Sequence, residues 1–357
     1  MTGGRAGVVG LGLIGCSVAL ALRSAGWHVC GSDVDERRCT RALEIGAVDA
    51  VGPALDATLV VVATPVSAVA HVAGRLLAER PGDAGLVVTD VGGVKGQIVG
   101  QVDDPRFVGG HPMAGSEQEG PDGASADLFV GATWVLTPTE STDPDAFRTV
   151  RSVVTSFGAD AVELSPQRHD TLVAIVSHLP HLAAANLMCL AADASEEHAV
   201  LLRLAAGGFR DMTRIAAGEP SIWPDIFLDN AGAVLAALDE LQARLDNARQ
   251  MIVEGNRAAL IELLEQARSA RRNLPARVPH PELVVECRLP VPDRPGVLAE
   301  VTTVLGELGA NIRDIEIAHS AEGDRGVLVL VIDAEAAERA RSALLGLGYR
   351  PSITRLA

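Results

Sequence analysis

The 357-residue chain is predicted to be an α/β protein: a Rossmann-type, doubly wound parallel sheet, then an all-helical domain, then a ferredoxin-like βαββαβ domain. Three observations predict this order. Short β-branched runs alternate with helical patterns at first, the strand signal disappears after residue 165, and strands return near the end. Three prolines within 273–281 mark a linker. We therefore expect domains over 1–165, 166–272 and 282–357.

Six strands and four helices are expected to alternate in the first domain. The strands are predicted at 6–9, 28–32, 59–63, 86–90, 107–109 and 133–136, and the helices at 15–25, 36–46, 66–77 and 143–157. This alternation implies right-handed crossovers and a mostly parallel sheet. Ligands of such sheets bind at the carboxyl ends of the strands.

The other two domains have different patterns. Helical spacing predicts helices at 167–192, 196–206, 220–230 and 232–254. In the last domain the order is strand, helix, strand, strand, helix, strand, which is the βαββαβ plan. These elements are predicted at 283–289, 296–308, 311–319, 326–332, 334–346 and 350–354.

Composition limits the partners and the compartment. With 30 basic and 46 acidic residues the net charge is -16, which argues against nucleic acid as the main partner. Five scattered cysteines without a CxxC pair fit a reducing compartment. No uninterrupted apolar run reaches the ~18 residues of a transmembrane helix. The sequence thus predicts a cytoplasmic protein that does not enter a membrane.

A glycine-rich turn, GLGLIG, follows the first predicted strand. Gly10 permits the tight turn, Gly12 lets the backbone approach a pyrophosphate, and Gly15 allows close packing of helix on strand. Asp33 ends the second strand, where a carboxylate accepts from a ribose 2′-OH and repels a 2′-phosphate. NAD is therefore the expected cofactor. Its candidate contacts are Gly10, Gly12, Leu13, Ile14, Gly15, Asp33, Thr64, Pro65, Asp90 and Gly93.

Two loops at the ends of later strands carry the candidate catalytic residues. Lys95, the only lysine among the 30 cations, lies in a glycine-rich segment after the fourth predicted strand. It would supply an active-site or structural ammonium. His111 follows the next strand, between glycines and a proline, in a rigid turn where a core histidine is not expected. Beside a nicotinamide, its imidazole could accept a hydroxyl proton while hydride leaves the same carbon.

Helical spacing brings further polar side chains together in the second domain. Ser177 and His181 are four residues apart and share one helical face, whereas His178 should point elsewhere. Arg210 and Arg214 have the same spacing and could clamp an anion. Neither Cys nor carboxylate completes a ligand set around the two histidines, so no metal is expected.

Five motifs in order carry a resemblance to one family. They are the GLGLIG turn, DVGGVKG, GGHPMAGSE, VSHLPH, and GGFRDMTRIA followed by WPDIF. From Gly7 to Asn230 the chain resembles the prephenate/arogenate dehydrogenase family. The resemblance implies that NAD+ takes hydride from C4 of a cyclohexadienol, CO2 leaves and the ring aromatises. Prephenate would give 4-hydroxyphenylpyruvate, and arogenate would give tyrosine.

The same resemblance implies roles for particular residues. His111 would polarise the 4-hydroxyl group and accept its proton, and Arg214 would hold a carboxylate. The helical domain would form a homodimer in which Gly207 approaches the neighbouring site. Family members usually carry a serine that bonds the imidazole where this chain has Gly93, which leaves that role to water, Thr89 or a backbone group. The candidate substrate residues are Ser177, His181, Arg214, Arg210, Glu117, Ser116, Gly207 and Trp223.

The segment VPDRPGVL near the start of the last domain leads from a strand into a helix. Gly296 at that helix start leaves N–H groups free for a ligand carboxylate. Residues 282–354 resemble an ACT domain, an amino-acid-sensing module whose copies pair. Our hypothesis is feedback inhibition by tyrosine; a pairing domain without a ligand is the alternative. The candidate effector contacts are Asp293, Arg294, Pro295, Gly296, Val297, Leu298 and Asn311.

Three other functions stay open. A dehydrogenase of the β-hydroxyacid type would share the first two domains and a strand-end lysine, but it does not account for GGHPMAG or VSHLPH. A non-catalytic sensor of amino acids could use NAD structurally. Arogenate could replace prephenate as substrate, because the two differ only in an amino or keto group on the side chain.

Overall fold

The structure is a computed structural model that describes residues 4–115, 118, 120–197, 201–272, 283–292, 294–319 and 325–355. It divides into two compact units, Met1–Arg257 and Ala258–Ala357. The first unit contains the predicted cofactor and substrate segments. The second contains the predicted βαββαβ domain. The linker predicted at 273–281 lies outside the described residues.

An eight-stranded sheet forms the centre of the first unit. Its strands are β1 (Arg5–Val9), β2 (His28–Ser32), β3 (Ala50–Val51), β4 (Leu59–Val62), β5 (Val87–Asp90), β6 (Phe107–Pro112), β7 (Thr133–Thr137) and β8 (Asp160–Glu163). The spatial order is β3-β2-β1-β4-β5-β6-β7-β8. Neighbours are parallel except β6 and β7. The strand order reverses between β1 and β4, which is where open α/β sheets bind their ligands.

The sheet confirms the six predicted strands and adds two. β3 has only two residues, too few for an apolar pattern to be visible. β8 reads DAVE and is partly or fully exposed throughout, so it lacks the buried alternation that identifies a strand. Both missed strands lie at the edges of the sheet, where packing against neighbours contributes least.

Helices cover both faces of this sheet, which confirms the doubly wound prediction. They are α1 (Leu13–Ser24), α2 (Glu36–Glu44), α3 (Val66–Glu79), α4 (Gly96–Gln101) and α5 (Pro144–Ser156). One apolar cluster holds buried residues of α1, α2 and α5, and another holds those of α3 and α4. Helix α4 was not predicted, because two of its six residues are glycine, which disfavours a helix.

The rest of the first unit is helical, as predicted. It contains α6 (Pro166–Val173), a π-helical turn (Ala174–His178), α7 (Leu179–Glu197), α8 (Gly207–Thr213), α9 (Trp223–Asp229) and α10 (Ala231–Val253). The helix predicted at 196–206 is wrong, since α7 ends at Glu197 and Leu201–Leu204 forms a 3-10 turn. The helix predicted at 220–230 is interrupted: a 3-10 turn at Pro220–Ile222 precedes α9.

The π-helical turn has an identifiable cause in the sequence. Pro180 has no N–H group, so it cannot make the α-helical bond to the carbonyl of Val176. Instead, the Leu179 N–H donates to the carbonyl of Ala174, five residues earlier. Such turns are frequent at functional sites. Here the turn carries two of the singled-out residues, Ser177 and His178.

The second unit begins with α11 (Arg257–Arg272) and then confirms the βαββαβ order. Its later elements are β9 (Val284–Pro292), α12 (Val297–Glu307), β10 (Ile312–His319), β11 (Arg325–Asp333), α13 (Ala337–Gly346) and β12 (Ser352–Arg355). The antiparallel sheet has the order β10-β11-β9-β12. Its core is built from aliphatic side chains of both layers, among them Leu289, Leu305, Leu328 and Leu344.

Candidate active site

The glycine turn after β1 has the three geometries that its motif predicts. Gly10 has φ +98°, a left-handed conformation, and a Cβ there would lie 2.4 Å from the carbonyl oxygen of Ala63. A Cβ on Gly15 would lie 1.9 Å from the carbonyl oxygen of Gly10. By contrast, no atom lies within 4 Å of a Cβ on Gly12. Gly10 and Gly15 therefore serve packing, while Gly12 borders open space.

Asp33 joins this turn to the end of β2. Its Oδ2 accepts from the backbone N–H of Leu11 at 2.7 Å, and its Oδ1 accepts from that of Asp35 at 2.8 Å. The guanidinium of Arg38 lies 3.9 Å from Oδ2. The next side chain, Val34, is fully exposed. The carboxylate is thus held in place beside the glycine turn, where it can also accept from a ribose hydroxyl.

The residues of this edge fit a bound dinucleotide. Beyond the open space over Gly12, the hydroxyl of Thr64 is buried after β4 and makes no hydrogen bond with any described residue. Buried hydroxyls normally have a partner, so this one is suited to a ligand. Within the described residues no group of three or more His, Cys, Asp or Glu side chains could hold a metal ion.

His111 lies in β6 and is fixed by a chain of hydrogen bonds. Its Nδ1 lies 2.8 Å from Nε2 of His169, and Nδ1 of His169 lies 2.8 Å from Oδ1 of Asp170. Since an ionised carboxylate only accepts, His169 donates from Nδ1 and accepts at Nε2. His111 therefore donates from Nδ1. This tautomer leaves a lone pair on Nε2 of His111.

Asp170 is held as a carboxylate by three donors. Besides His169, the backbone N–H groups of Lys95 and Gly96 donate to it at 2.8 and 2.7 Å. Burial alone would raise the pKa of Asp170, but these bonds outweigh burial and lower it. The side chain thus anchors α6 to the start of α4, at the edge of the sheet where β5 ends.

The surroundings of His111 keep its imidazole neutral. Burial lowers the pKa of His111 well below its ordinary value, and the positive charge of Lys95 adds to this effect. On the Nε2 side, a Cβ on Gly93 would lie 3.8 Å from that atom. Nε2 therefore faces the loop predicted to contact the cofactor. A neutral imidazole with a lone pair there is a general base.

The position of the missing serine is not filled by Thr89. The hydroxyl of Thr89 is buried and makes no hydrogen bond with any residue that the structure describes. The imidazole of His111 is held instead at its other nitrogen, by His169. Because the Gly93 Cβ position is in ordinary contact distance of the ring, a side chain at 93 is not required to orient His111.

Lys95 and Asp90 lie elsewhere than expected. Both are fully buried, and the Lys95 ammonium donates to the Asp90 carboxylate. Burial lowers the pKa of Lys95, and the charge of Asp90 opposes this effect. The geometry corrects two expectations: Lys95 has no surface from which to touch or attract a substrate, and Asp90 has none from which to contact the cofactor.

His178 connects the helical segment to this site. As predicted, it points away from the face of Ser177: it is buried, and its Nδ1 lies 3.2 Å from Nδ2 of Asn230. The same Asn230 amide donates to the backbone carbonyl of Asp170 at 2.9 Å. Burial lowers the pKa of His178 to about 4, so it accepts from Asn230 as a neutral ring.

His181 and Trp223 are brought together on the half-buried side of α7. Their rings stack with centroids 3.5 Å apart and 16° between planes, and Phe227 lies 5.4 Å from the Trp223 ring. Burial lowers the pKa of His181. The two rings therefore stack on each other, and the edge of the His181 ring carries the nitrogen atoms that can bond a ligand.

The arginines are on the surface. Arg214 begins a 3-10 turn, Arg214–Ala217, that packs against α7, and its side chain is exposed. Arg210 is exposed in α8, and its Nε donates to the carbonyl of Ala205 at 3.2 Å. Gly207 is the exposed first residue of α8. The candidates Ser116 and Glu117 lie outside the described residues.

Sequence reasoning missed His169, Asp170 and Asn230. The first two are adjacent near the start of α6, directly after the last strand of the sheet. A His-Asp pair at that place was the available signal, because helix starts that follow strands lie near the carboxyl edge. Asn230 gave no signal, since it is 60 residues from its partner Asp170.

The arrangement first defines a class of protein. An open α/β sheet with open space beside Gly12, a carboxylate set for a ribose and a neutral base facing the same edge is typical of the NAD-dependent dehydrogenases. The Nε2 lone pair of His111 suits removal of a proton from a hydroxyl whose carbon loses hydride. The class alone leaves the substrate undefined.

Comparison with known proteins gives the family. Residues 18–163 match the nucleotide-binding domain of prephenate dehydrogenase, residues 165–266 match its dimerization domain, and residues 287–348 match the ACT domain. The chain belongs to the prephenate dehydrogenase family. It is 34% identical over 337 residues to prephenate dehydrogenase of Bacillus subtilis (strain 168), which covers 90% of each chain.

Two solved structures are also similar. Prephenate dehydrogenase from Aquifex aeolicus, in complex with hydroxyphenyl propionate and NAD+, is 30% identical with a TM-score of 0.72, covering 77% of this chain and 99% of that one. Synechocystis arogenate dehydrogenase is 34% identical with a TM-score of 0.67, covering 75% and 99%. The resemblance inferred from the motifs is confirmed, and with it an NAD-dependent oxidoreductase that carries an ACT domain.

Two glycine variants should separate packing from cofactor binding. Gly15→Ala places a methyl group against the Gly10 carbonyl, so we expect the free energy of unfolding to fall by about 1–3 kcal/mol. Gly12→Ala has room for the methyl group, so its stability should stay within ~0.5 kcal/mol. That methyl lies in the pyrophosphate path, however, and should weaken NAD+ binding by about tenfold or more.

Thermal unfolding with and without NAD+ measures both effects, because a ligand at a given concentration raises the melting temperature more when it binds more tightly. Without NAD+, Gly12→Ala should have the same melting temperature as the wild type. With NAD+, its melting temperature should rise by less. Equal destabilisation of the two variants in the absence of NAD+ would contradict the assignment.

A variant of His169 should disturb His111. In His169→Asn the Nδ1 bond of His111 is lost, so we expect turnover to fall about 10- to 100-fold. The pKa of His111 should fall, because its Nδ1–H loses the acceptor, backed by Asp170, that stabilises the protonated ring, and the acid limb of the pH–rate profile should move to lower pH. His71→Asn, an exposed histidine on α3, is the control. An unmoved acid limb in His169→Asn would remove His169 from this role.

Proposed function

We propose that the protein is a prephenate dehydrogenase, which oxidises and decarboxylates prephenate to 4-hydroxyphenylpyruvate in tyrosine biosynthesis. The observation that carries this proposal is the chain from Asp170 through His169 to His111, which leaves one nitrogen of a neutral imidazole open at the carboxyl edge of the sheet. The relative from B. subtilis, 34% identical along 90% of this chain, is a prephenate dehydrogenase.

The chemistry needs a hydride acceptor, a base and a departing carboxylate. NAD+ supplies the hydride acceptor when bound. His111 accepts the proton of the 4-hydroxyl group at Nε2 while C4 loses hydride, and its new charge is stabilised through Nδ1 by His169 and Asp170. The electron pair of the C1–carboxylate bond then moves through the ring to the C4 oxygen as CO2 leaves, and this oxygen takes a proton to give the phenol. Aromatisation makes this step favourable, so the protein needs only to position the base and the substrate.

The substrate is an anion, and the protein has a net charge of -16. Attraction must therefore come from local cations near the site. We assign Arg214 to a substrate carboxylate, because its turn packs against α7, the helix that carries His181. Ser177 and His181 complete the set, and Trp223 supports the His181 ring by stacking.

Arogenate is the second candidate substrate. The observation in its favour is the similarity to Synechocystis arogenate dehydrogenase, 34% identical across 75% of this chain. Initial rates of NADH formation with prephenate and with arogenate, measured on the same preparation, decide between them. We expect the larger kcat/KM with prephenate, and a larger value with arogenate would replace the first proposal by the second.

A variant of the base tests the mechanism. His111→Asn removes the proton acceptor, so we expect kcat to fall by roughly 10²–10⁴-fold. NAD+ binding, measured by calorimetry, should change little, because the glycine turn and Asp33 are untouched. Turnover close to that of the wild type would contradict the assignment of His111 as base.

The ACT domain suggests regulation by tyrosine. Its loop before α12 ends at Gly296, which has a left-handed φ of +89°. Arg294 donates to Glu300 at 2.6 Å, and the hydroxyl of Tyr349 donates to the same carboxylate at 3.2 Å. These bonds hold the loop against the helix and core, with its N–H groups at a helix start. Asp293 lies outside the described residues.

Deletion of residues 282–357 tests this regulation. We expect the wild type to lose activity as tyrosine is added, and the shortened protein to keep its activity at the same tyrosine concentrations. Phenylalanine serves as the control ligand for specificity. A shortened protein that is as sensitive to tyrosine as the full chain would place inhibition outside the ACT domain.

The helical segment supports a homodimer. Among the described residues, large apolar side chains are exposed on α7 and α10, including Leu190, Leu235, Leu245 and Ile252. The helical run 166–194 is long and apolar enough, by length and composition, to cross a membrane, and only 22% of its most apolar stretch is buried within the chain. A second copy covers such a face, while His169 and Asp170 of this run are committed to the site.

We place the enzyme in the cytoplasm, since all five cysteines are free.

A further inference from the structure

We propose that Lys95 and Asp90 form a buried positioning pair, which fixes His111 and the loop of Gly92 and Gly93 in one geometry. The proposal rests on the proposed function, because it assigns the pair to the dehydrogenase site. Neither residue touches substrate or cofactor in this account. They act through the strand and loop that carry the reacting groups.

The Asp90 carboxylate joins the parts of the site that must be aligned. It accepts from the backbone N–H of Gly92 at 2.8 Å and from that of Gly110 at 3.0 Å. Gly92 precedes the glycine that faces Nε2 of His111, and Gly110 precedes His111 itself. One buried carboxylate thus sets the distance between the cofactor loop and the base.

Lys95 completes this arrangement from the other side. Its ammonium bonds to Asp90, and its own backbone N–H bonds to Asp170. The residue therefore spans the two carboxylates that hold His111, one through Gly110 and one through His169. A displacement of Lys95 would move both supports at once.

The backbone around the pair is shaped to admit it. A Cβ on Gly92 would lie 2.9 Å from Oδ2 of Asp90, and a Cβ on Gly109 would lie 3.5 Å from Cδ of Lys95 and 2.9 Å from Val99. Glycine at 92 lets the loop approach the carboxylate closely. The aliphatic part of Lys95 lies beside Gly109 of β6, at ordinary contact distance from a Cβ there, and the atom closest to that Cβ would be Oγ1 of Thr137, at 2.4 Å.

The choice of lysine is itself informative. All 29 other cations of the chain are arginine, yet among the residues whose burial the structure describes the one fully buried Lys or Arg is this lysine. A guanidinium has five donors in a rigid fork, whereas an ammonium is a compact charge on a flexible stem. A site with a single carboxylate as charged partner, closed by backbone on two sides, admits the ammonium. The general preference for arginine is therefore overridden at this position by local geometry.

The pair also acts on the charge of the base. Besides burial, the positive charge of Lys95 lowers the pKa of His111. Loss of the ammonium should therefore raise that pKa. The acid limb of the pH–rate profile should then move to higher pH, which a purely structural role would not produce.

Lys95→Met tests the proposal in the full-length enzyme, since it keeps an unbranched side chain and removes the charge. With prephenate and NAD+, we expect kcat to fall roughly 10- to 100-fold through misplacement of His111. The acid limb of kcat/KM should rise by about one pH unit. Arg148→Met, which removes a cation from an exposed ion pair with Asp145 on α5, should change neither quantity.

The single variant leaves Asp90 buried without its counter-ion and could fail to fold. Asp90→Asn combined with Lys95→Met carries no unpaired charge and should fold. In this double variant both charges of the pair are removed, so the acid limb should move less than in Lys95→Met, and we expect kcat to stay below that of the wild type. An unmoved acid limb together with kcat within about twofold of the wild type would overturn the proposal.

A second readout needs no substrate. NMR titration of the His111 ring, assigned with His111→Asn, should give a higher pKa in Lys95→Met than in the wild type. If the wild type turned over neither substrate, the proposed function would fail, and this titration would still test the pair. An unchanged His111 titration in Lys95→Met would contradict the electrostatic part of the proposal.

Discussion

The site depends on one buried carboxylate, that of Asp170. It accepts from the His169 ring and from the two backbone N–H groups that begin α4. Three donors hold the group ionised in spite of its burial. Because the carboxylate is an acceptor only, it dictates the tautomer of His169, and through it that of His111. The reactivity of the base is therefore a consequence of how α6 docks on the end of the sheet.

The same residue ties the helical segment to the base. The backbone carbonyl of Asp170 accepts from Asn230, whose amide also contacts His178 in the π-helical turn. That turn exists because Pro180 cannot make an α-helical bond. It carries Ser177 and leads into the helix of His181. Buried hydrogen bonds thus connect the segment that carries the proposed substrate side chains, Ser177 and His181, to the support of His111.

Much of this could be predicted from local sequence. The turn of Gly10, Gly12 and Gly15 has roles fixed by backbone conformation, and the structure reproduces each of them. The long helices and buried strands also follow from periodicity, because one face or the whole element is packed against a core. Short edge strands such as β8 escape this reasoning, since they bury too little to leave a pattern.

The supports of His111 could not be predicted in the same way. His169 is 58 residues from His111, and Asn230 is 60 from Asp170, so nothing local signals their contact. Lys95 was singled out as unusual, but a sequence does not distinguish an ammonium that meets a substrate from one that is buried against Asp90. That distinction depends on which strand lies beside which, and therefore on the sheet order.

The central claim is that His111 is a neutral base with its proton on Nδ1 and its lone pair on Nε2. Long-range 1H–15N NMR of the histidine rings in the free enzyme measures this directly, because protonated and unprotonated ring nitrogens resonate at different frequencies. We predict a single neutral tautomer of His111, with the proton on Nδ1. Because the pKa of this ring is well below 6.5, the ordinary value for histidine, the tautomer should persist at neutral pH and at pH values below 6.5. A His111 ring that is doubly protonated near neutral pH, or that carries its proton on Nε2, would contradict it.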